Sequence, residues 1–182
     1  QIQDAIDCFM EALDIDPSFS NPKQNLVGVY INYPQHTNYK LARGFAEEAY
    51  INEKGNLDLL GNYLYTLCLL NDYDKLGELL ISENVLEKAP KNELISIAVG
   101  LLYFGTKKLV LAQEHMSKSV EIFPESANLY EMLGEVIMAL AEEEGCQIRH
   151  LQTVAIYNRP DLIDTAHGHF KKALSLLPEK HP

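Results

Sequence analysis

The sequence predicts an all-α protein made of repeated helix hairpins. The main observation is a group of residues at offsets of four, seven and twelve, which occurs three times, starting at Ala5, Ala112 and Ala166. The first three members of each group lie on one helical face, and most are small enough for a neighbouring helix to approach closely. The last member is always a proline, which stops the helix and starts a turn. Recurrence of one such unit indicates a repeat architecture.

The spacing of these groups divides the chain. The equivalent positions Ala5, Ala42, Leu76 and Ala112 lie 37, 34 and 36 residues apart, whereas Ala166 follows after 54, which indicates an insertion. We therefore expect a single domain over the 182 residues. It has a half-repeat at 1–18, hairpins at 20–56, 57–91, 92–125 and 126–180, and an insertion at about 145–162.

Apolar periodicity and stop signals predict the helices of the first half. They are a helix over 1–15, a helix capped by Ser20 or Asn21, a helix ending near Asn52, a helix over 57–70 and a helix over 75–86. Ser and Asn are favourable N-cap residues because their side chains accept from free backbone N–H groups. Gly55 and Pro90 supply stops.

The second half follows the same rules. The expected helices are one over 93–104 capped by Asn92, one over 109–122, one starting after Glu125 or Ser126 and running at least to Glu143, and a final helix around Ala166. Within the insertion, Ile148, Leu151, Val154 and Ala155 could extend either flanking helix or form a short helix of their own.

The pattern resembles the tetratricopeptide-repeat (TPR) family. The residues that carry the resemblance are Tyr130, Leu133, Gly134, Ile137, Ala166, Phe170, Ala173 and Pro178 in one copy, and Val99, Gly100, Tyr103, Ala112, Met116, Ser119 and Pro124 in another. The resemblance implies a right-handed α-solenoid of antiparallel hairpins, the TPR superhelix, whose first helices line a concave groove. It also implies a protein-binding scaffold or adaptor.

Residues spaced by four, three and four form one stripe opposite the core face of each first helix. The stripes are Asn21, Asn25, Gly28 and Asn32; Asp58, Asn62, Tyr65 and Leu69; Leu94, Ala98, Leu101 and Gly105; and Asn128, Met132, Glu135 and Ala139. The residues that we expect to bind a peptide are Asn21, Asn25, Asn32, Asp58, Asn62, Tyr65, Leu94, Leu101, Asn128, Glu131 and Glu135.

Asn25 and Asn62 occupy equivalent places, and an amide side chain suits the backbone of an extended peptide. The arrangement is similar to the asparagine ladder in the TPR superhelix of O-linked N-acetylglucosamine transferases, although Ala98 and Met132 interrupt the series. The alternative interpretation is that these are ordinary solvated asparagines.

Other residues in and beside the stripes suggest an apolar and acidic groove. Leu94, Leu101, Phe104 and Met132 could form its floor, or pack against an adjacent repeat. Asp58, Glu131 and Glu135 favour a basic or amphipathic peptide. The carboxylate clamp that other TPR proteins use for chaperone tails is disfavoured, because its lysine and arginine places hold Gln24, Asp58, Leu94 and Ala98.

Composition limits the classes of partner. The formal net charge of −11 disfavours nucleic acid and anionic membranes. The three cysteines, Cys8, Cys68 and Cys146, are odd in number and far apart, which favours a reducing compartment such as the cytoplasm. No apolar run is long enough to span a bilayer. The chain opens at Gln1 inside a predicted helix, so we expect a piece of a longer protein.

The sequence contains no recognisable catalytic or phosphate-binding motif. His167 and His169 are two residues apart and point in nearly opposite directions on a helix, and Cys146 and His150 lack a second ligand pair. We therefore expect no metal, no cofactor and no enzymatic activity.

Three functions are compatible with these patterns. The first is a scaffold or adaptor that binds a peptide or helix of a partner protein in the groove. The second is a substrate-recognition arm of a larger enzyme, such as a glycosyltransferase. The third is self-assembly into a homo-oligomer through the terminal helices.

Overall fold

The computed structural model describes the backbone of residues 1–151 and 160–177, and the side chains of residues 1–142 and 162–177. Every regular element in this part of the chain is a helix, so the all-α prediction is confirmed. The helices are α1 (Ile2–Ile15), α2 (Ser20–Asn32), α3 (Tyr39–Asn52), α4 (Leu57–Leu69), α5 (Tyr73–Ser82), α6 (Val85–Lys88), a 3-10 turn (Ala89–Lys91), α7 (Glu93–Gly105), α8 (Leu109–Ile122), α9 (Ala127–Leu151) and α10 (Pro160–Leu176).

The chain divides into two compact units, Gln1–Ala98 and Val99–Pro182, with the boundary inside α7. In the first unit, α1 packs on α2, α2 on α3, α3 on α4, and α4 on α5. In the second unit, α8 packs on α9 and α9 on α10. Neighbours along the sequence are therefore neighbours in space, as expected for helices joined by short turns.

The start of α2 differs from the prediction. The helix begins at Ser20, so Phe19 occupies the N-cap position and neither Ser20 nor Asn21 caps it. The Ser20 hydroxyl is instead buried without a hydrogen-bond partner. The preceding turn is held by Asp16, whose carboxylate accepts from the Ser18 backbone N–H at 2.9 Å and from the Ser18 hydroxyl at 2.6 Å. The polar side chains of this turn therefore hydrogen-bond within the turn, and none of them caps α2.

The predicted helix over 75–86 is wrong, because the structure has two shorter helices there. Asp72 accepts from the Lys75 backbone N–H at 3.3 Å, so α5 starts earlier, at Tyr73. Asn84 then adopts the left-handed region with φ 49°, which ends α5 and precedes α6. Asparagine tolerates this conformation better than most residues, because its side chain can hydrogen-bond locally.

The last hairpin shows where part of the insertion lies. Helix α9 continues to Leu151, so residues 145–151 extend the first helix of the hairpin. Helix α10 then begins with Pro160 in the first turn, where its missing N–H costs nothing. The two remaining insertion residues that we considered, Val154 and Ala155, lie outside the described residues.

One contact recurs in three helix pairs. The residue three places after the first small residue of the pattern carries a ring that lies against a tyrosine of the preceding helix. The pairs are Phe45 with Tyr30 at 6.1 Å, His115 with Tyr103 at 6.2 Å, and His169 with Tyr130 at 6.0 Å between ring centroids. These rings join α3 to α2, α8 to α7 and α10 to α9, at separations typical of aromatic pairs.

Candidate peptide-binding face

Helix α4 presents a single narrow stripe to solvent. Gly55, with φ 98°, makes the turn before it, and the Asn56 side chain caps it by accepting from the backbone N–H of Asp58 at 3.1 Å. Most residues of α4 are buried, and the accessible ones are Leu57, Asp58, Asn62, Tyr65 and Leu69. Apart from Leu57, these are the residues that the four-three-four spacing selects.

The polar residues predicted on α2 are also accessible. Asn21, Asn25 and Asn32 are exposed, whereas Leu26 and Val29 of the same helix are buried in a cluster with Ile6 and Leu13 of α1. Helix α2 contacts α4, so the α2 asparagines and the α4 stripe belong to neighbouring helices. We call Asn21, Asn25, Asn32, Asp58, Asn62 and Tyr65 together the α2–α4 face.

Asp58 has a structural contact as well as an exposed position. The Asn92 side-chain amide donates to the Asp58 carboxylate at 2.7 Å, while the Asn92 side-chain oxygen accepts from the Ile95 backbone N–H at 3.1 Å. Asn92 therefore caps α7, as predicted, and also ties the start of α7 to the start of α4. The exposed Asp58 carboxylate therefore already accepts one hydrogen bond from within the chain.

Leu94 lies at the same junction. A methyl group added to Gly61 would come within 2.9 Å of the Leu94 Cβ and within 2.8 Å of the Asn92 side-chain oxygen. The starts of α4 and α7 therefore approach closely, and only glycine fits at position 61. Leu94 is half-buried by this contact, so packing between helices accounts for part of its apolar surface.

Of the residues that the spacing placed in or near the groove, one belongs to the core and another packs against it. Ala98 is fully buried, and its carbonyl accepts from the buried Cys68 thiol at 3.7 Å, so its place in an accessible stripe is wrong. Phe104 packs against the cluster of Leu109, Ala112, Val136 and Leu140 between α8 and α9. For Phe104 the packing interpretation is therefore the one that the contacts favour.

Four of the predicted groove residues belong to the second unit. Leu101 is half-buried, and Asn128, Glu131 and Glu135 on α9 are exposed. Partial desolvation, and secondly the nearby Glu131 carboxylate, raise the pKa of Glu135. Two like charges at i and i+4 repel each other, so a cation bound here would relieve that repulsion.

One polar network that joins two helices was not predicted from the sequence. The buried Tyr63 hydroxyl donates to Glu47 at 2.7 Å, and the Arg43 guanidinium donates to the other Glu47 oxygen at 2.9 Å. Burial, and then the Glu47 carboxylate, raise the pKa of Tyr63. The i, i+4 spacing of Arg43 and Glu47 could be seen in the sequence, but the tyrosine comes from α4 and required the fold. The network joins α3 to α4 and lies away from the stripe.

No protein-family model matches the sequence, and no curated protein matches it either. Over residues 1–151 and 160–177, no helix combines the length and apolar character that crossing a bilayer requires. Among the described side chains, those of residues 1–142 and 162–177, no three His, Cys, Asp or Glu residues are grouped so that they could hold a metal ion.

Proposed function

We propose that the chain is a non-catalytic protein-interaction module of the TPR type, with the right-handed α-solenoid which that resemblance implies. In this proposal it acts as a scaffold or adaptor, and the α2–α4 face binds an extended peptide or a helix of a partner protein. The observation that carries the proposal is the stripe on α4. A helix buried on nearly every side keeps polar and aromatic side chains accessible along one line, and it contacts α2, which carries the exposed asparagines.

The side chains of the face suit a peptide backbone. Each asparagine offers two donors and an acceptor, which is the set that an extended peptide needs beside it. Tyr65 adds an aromatic ring, and aromatic residues are enriched at the energetic centre of protein interfaces. Asp58 is exposed and negatively charged, so a lysine or arginine in the peptide is favoured over an acidic residue.

A peptide-display selection tests the proposal. A random peptide library is selected on the wild-type chain, and each enriched peptide is then measured against Asn62→Arg and against Gln35→Arg. Gln35 is exposed in the turn between α2 and α3, so this control adds the same charge outside the face. We expect Asn62→Arg to weaken binding by at least about tenfold, which corresponds to about 1.4 kcal/mol.

Three results would decide whether the α2–α4 face binds a peptide. Loss of binding in Asn62→Arg alone, for peptides enriched in basic residues, supports the proposal. Equal binding to both variants places the peptide elsewhere and overturns the assignment of the face. Failure to enrich any peptide would contradict a peptide-binding function altogether.

A further inference from the structure

Asp58 is the one charged residue of the α2–α4 face, and another part of the chain holds its carboxylate in place. The Asn92 side-chain amide donates to the Oδ1 atom of Asp58 at 2.7 Å, from the start of α7. This amide is itself held, because the Asn92 side-chain oxygen accepts from the Ile95 backbone N–H at 3.1 Å. The Asp58 carboxylate is therefore kept in one orientation while it stays exposed.

The charge of this carboxylate is left for a bound molecule. Among the described residues, none of the ion pairs involves Asp58. The lysine of α2, Lys23, pairs instead with Glu48 of α3. Its ammonium lies 2.8 Å from the Glu48 carboxylate, and its side chain is only 5 % exposed, so it does not compete for Asp58. A cation of the peptide can thus pair with Asp58 without displacing one of these ion pairs.

The hydrogen bond from Asn92 distinguishes between the two possible cations. An arginine guanidinium pairs best with a carboxylate through two parallel hydrogen bonds, which use both carboxylate oxygens. One oxygen of Asp58 already accepts from Asn92, so an arginine would have to share that oxygen with the amide. A lysine ammonium is a compact point charge that needs a single acceptor, and the other oxygen of Asp58 provides it.

We propose that Asp58 binds a lysine of the partner peptide in preference to an arginine, and that Asn92 sets this preference. Asn92 is a positioning residue, because it acts on the peptide through Asp58. The inference rests on the proposed function of the α2–α4 face, and it names the kind of peptide that this face selects. The formal net charge of −11 attracts both cations equally, so a preference between them has to come from local geometry.

The test uses the peptides that are enriched on the wild-type chain in the selection described above. Each peptide is resynthesised with lysine, arginine or glutamine at its basic positions, and the Kd of each version is measured by isothermal titration calorimetry. We expect glutamine to weaken binding about fivefold relative to lysine, the upper end for an exposed ion pair. We expect arginine to weaken it about threefold, because its fork meets an oxygen that is already in use.

Three variants assign the preference to its residues. Asp58→Asn keeps the shape of the side chain and removes its charge, so the three versions of each peptide should bind alike. Asn92→Ser keeps an oxygen that caps α7 but removes the amide donor, so the arginine version should bind as tightly as the lysine version. The matched control is Asn38→Ser, which should keep the wild-type preference. Asn38 also caps a helix, by accepting from the Leu41 backbone N–H at 3.1 Å, but it is not part of the α2–α4 face.

Circular dichroism shows whether each variant is folded. If Asn92→Ser does not fold, Asp58→Glu replaces it. The longer side chain carries the carboxylate past the Asn92 amide, so both oxygens become available to an arginine. We then expect the preference for lysine over arginine to disappear, while the preference for lysine over glutamine remains.

The results separate this inference from the proposed function. Loss of the lysine preference in Asp58→Asn and in Asn92→Ser, but not in Asn38→Ser, supports the inference. Equal binding of the lysine and arginine versions to the wild type overturns it, as does enrichment of peptides without a basic residue. An unchanged preference in Asn92→Ser overturns the role of Asn92. In these cases the proposed function stands as long as Asn62→Arg removes binding. Failure to enrich any peptide overturns the proposed function, and this inference with it.

Discussion

Helices α1 and α3 belong to the same unit and carry the same pattern, yet they differ in burial. Ala42, Ala46 and Ala49 of α3 are at most 2 % exposed, because α3 packs against both α2 and α4. Ala5 and Ala12 of α1 remain half-buried beside α2. The pattern therefore determines which face of a helix can accept a neighbour, but the neighbours determine whether that face is buried.

The largest expected difference comes from adding the same charge to both helices. Ala42→Arg would place an unpaired guanidinium in a fully buried site, so we expect a loss of about 3 kcal/mol or more in the free energy of unfolding. Ala5→Arg can direct its charge to solvent, so we expect a loss below about 1 kcal/mol. Urea unfolding of both variants, followed by circular dichroism, measures the difference. Equal losses would show that the α1 face is as closely packed as that of α3.

A smaller effect is expected where one helix closely approaches the next. A methyl group added to Gly100 would meet the Met116 side chain, whereas one added to Gly28 has no atom within 4 Å. We expect Gly100→Ala to destabilise the second unit by about 1–3 kcal/mol through overpacking. Gly28→Ala should stabilise α2 by about 0.5–1 kcal/mol, because alanine is the better helix former. Thermal unfolding of each variant checks both signs, and stabilisation by Gly100→Ala would contradict the close approach.

The smallest effect concerns the rings that join the paired helices. Burial lowers the pKa of His169, which stacks on Tyr130, and Lys172 already lies over the same tyrosine ring at 5.9 Å. The unfolded chain therefore binds the proton more readily, so stability is complete above about pH 6.5 and falls as the pH drops through the folded-state pKa. Phe45 holds the equivalent place in α3 without a titrating group. We expect His169→Phe to reduce the fall in Tm between about pH 7.5 and pH 5.5.

The control for this pH dependence is His36→Gln, which removes a histidine in the turn between α2 and α3. The pH dependence of this variant is the reference with which that of His169→Phe is compared. If His169→Phe behaves like this control, protonation of His169 makes no measurable contribution to the stability of the second unit.

Much of the fold could be predicted from the sequence because its signals are local. The periodicity and stop residues gave α1, α4, α7 and α8 to within one residue at each end. The break at Asn84 could not be predicted, because Leu76, Leu79 and Leu80 continue the apolar spacing and an asparagine in the left-handed region depends on its surroundings.

Part of the candidate site was also predictable from the sequence, because helical spacing is a local signal. The four-three-four spacing selected the accessible residues of α4, where the helix is regular and only one line remains uncovered. It failed at Ala98, because spacing alone does not show that the Cys68 side chain of α4 reaches this turn of α7. Whether the α2–α4 face binds a peptide remains a prediction.

Asn92 makes two hydrogen bonds at once, one to Ile95 and one to Asp58, and together they restrict which residues can replace it. Aspartate, serine and asparagine are all good N-caps for an isolated helix, since each has an oxygen that accepts from the first backbone N–H groups. Asn92 also donates to the Asp58 carboxylate at 2.7 Å, where an aspartate would bring two negative charges together and a serine would be too short to reach. Substitutions at positions 58 and 92 should therefore occur together. The residue at the start of α4 then limits which residues are tolerated at the start of α7, 34 residues away.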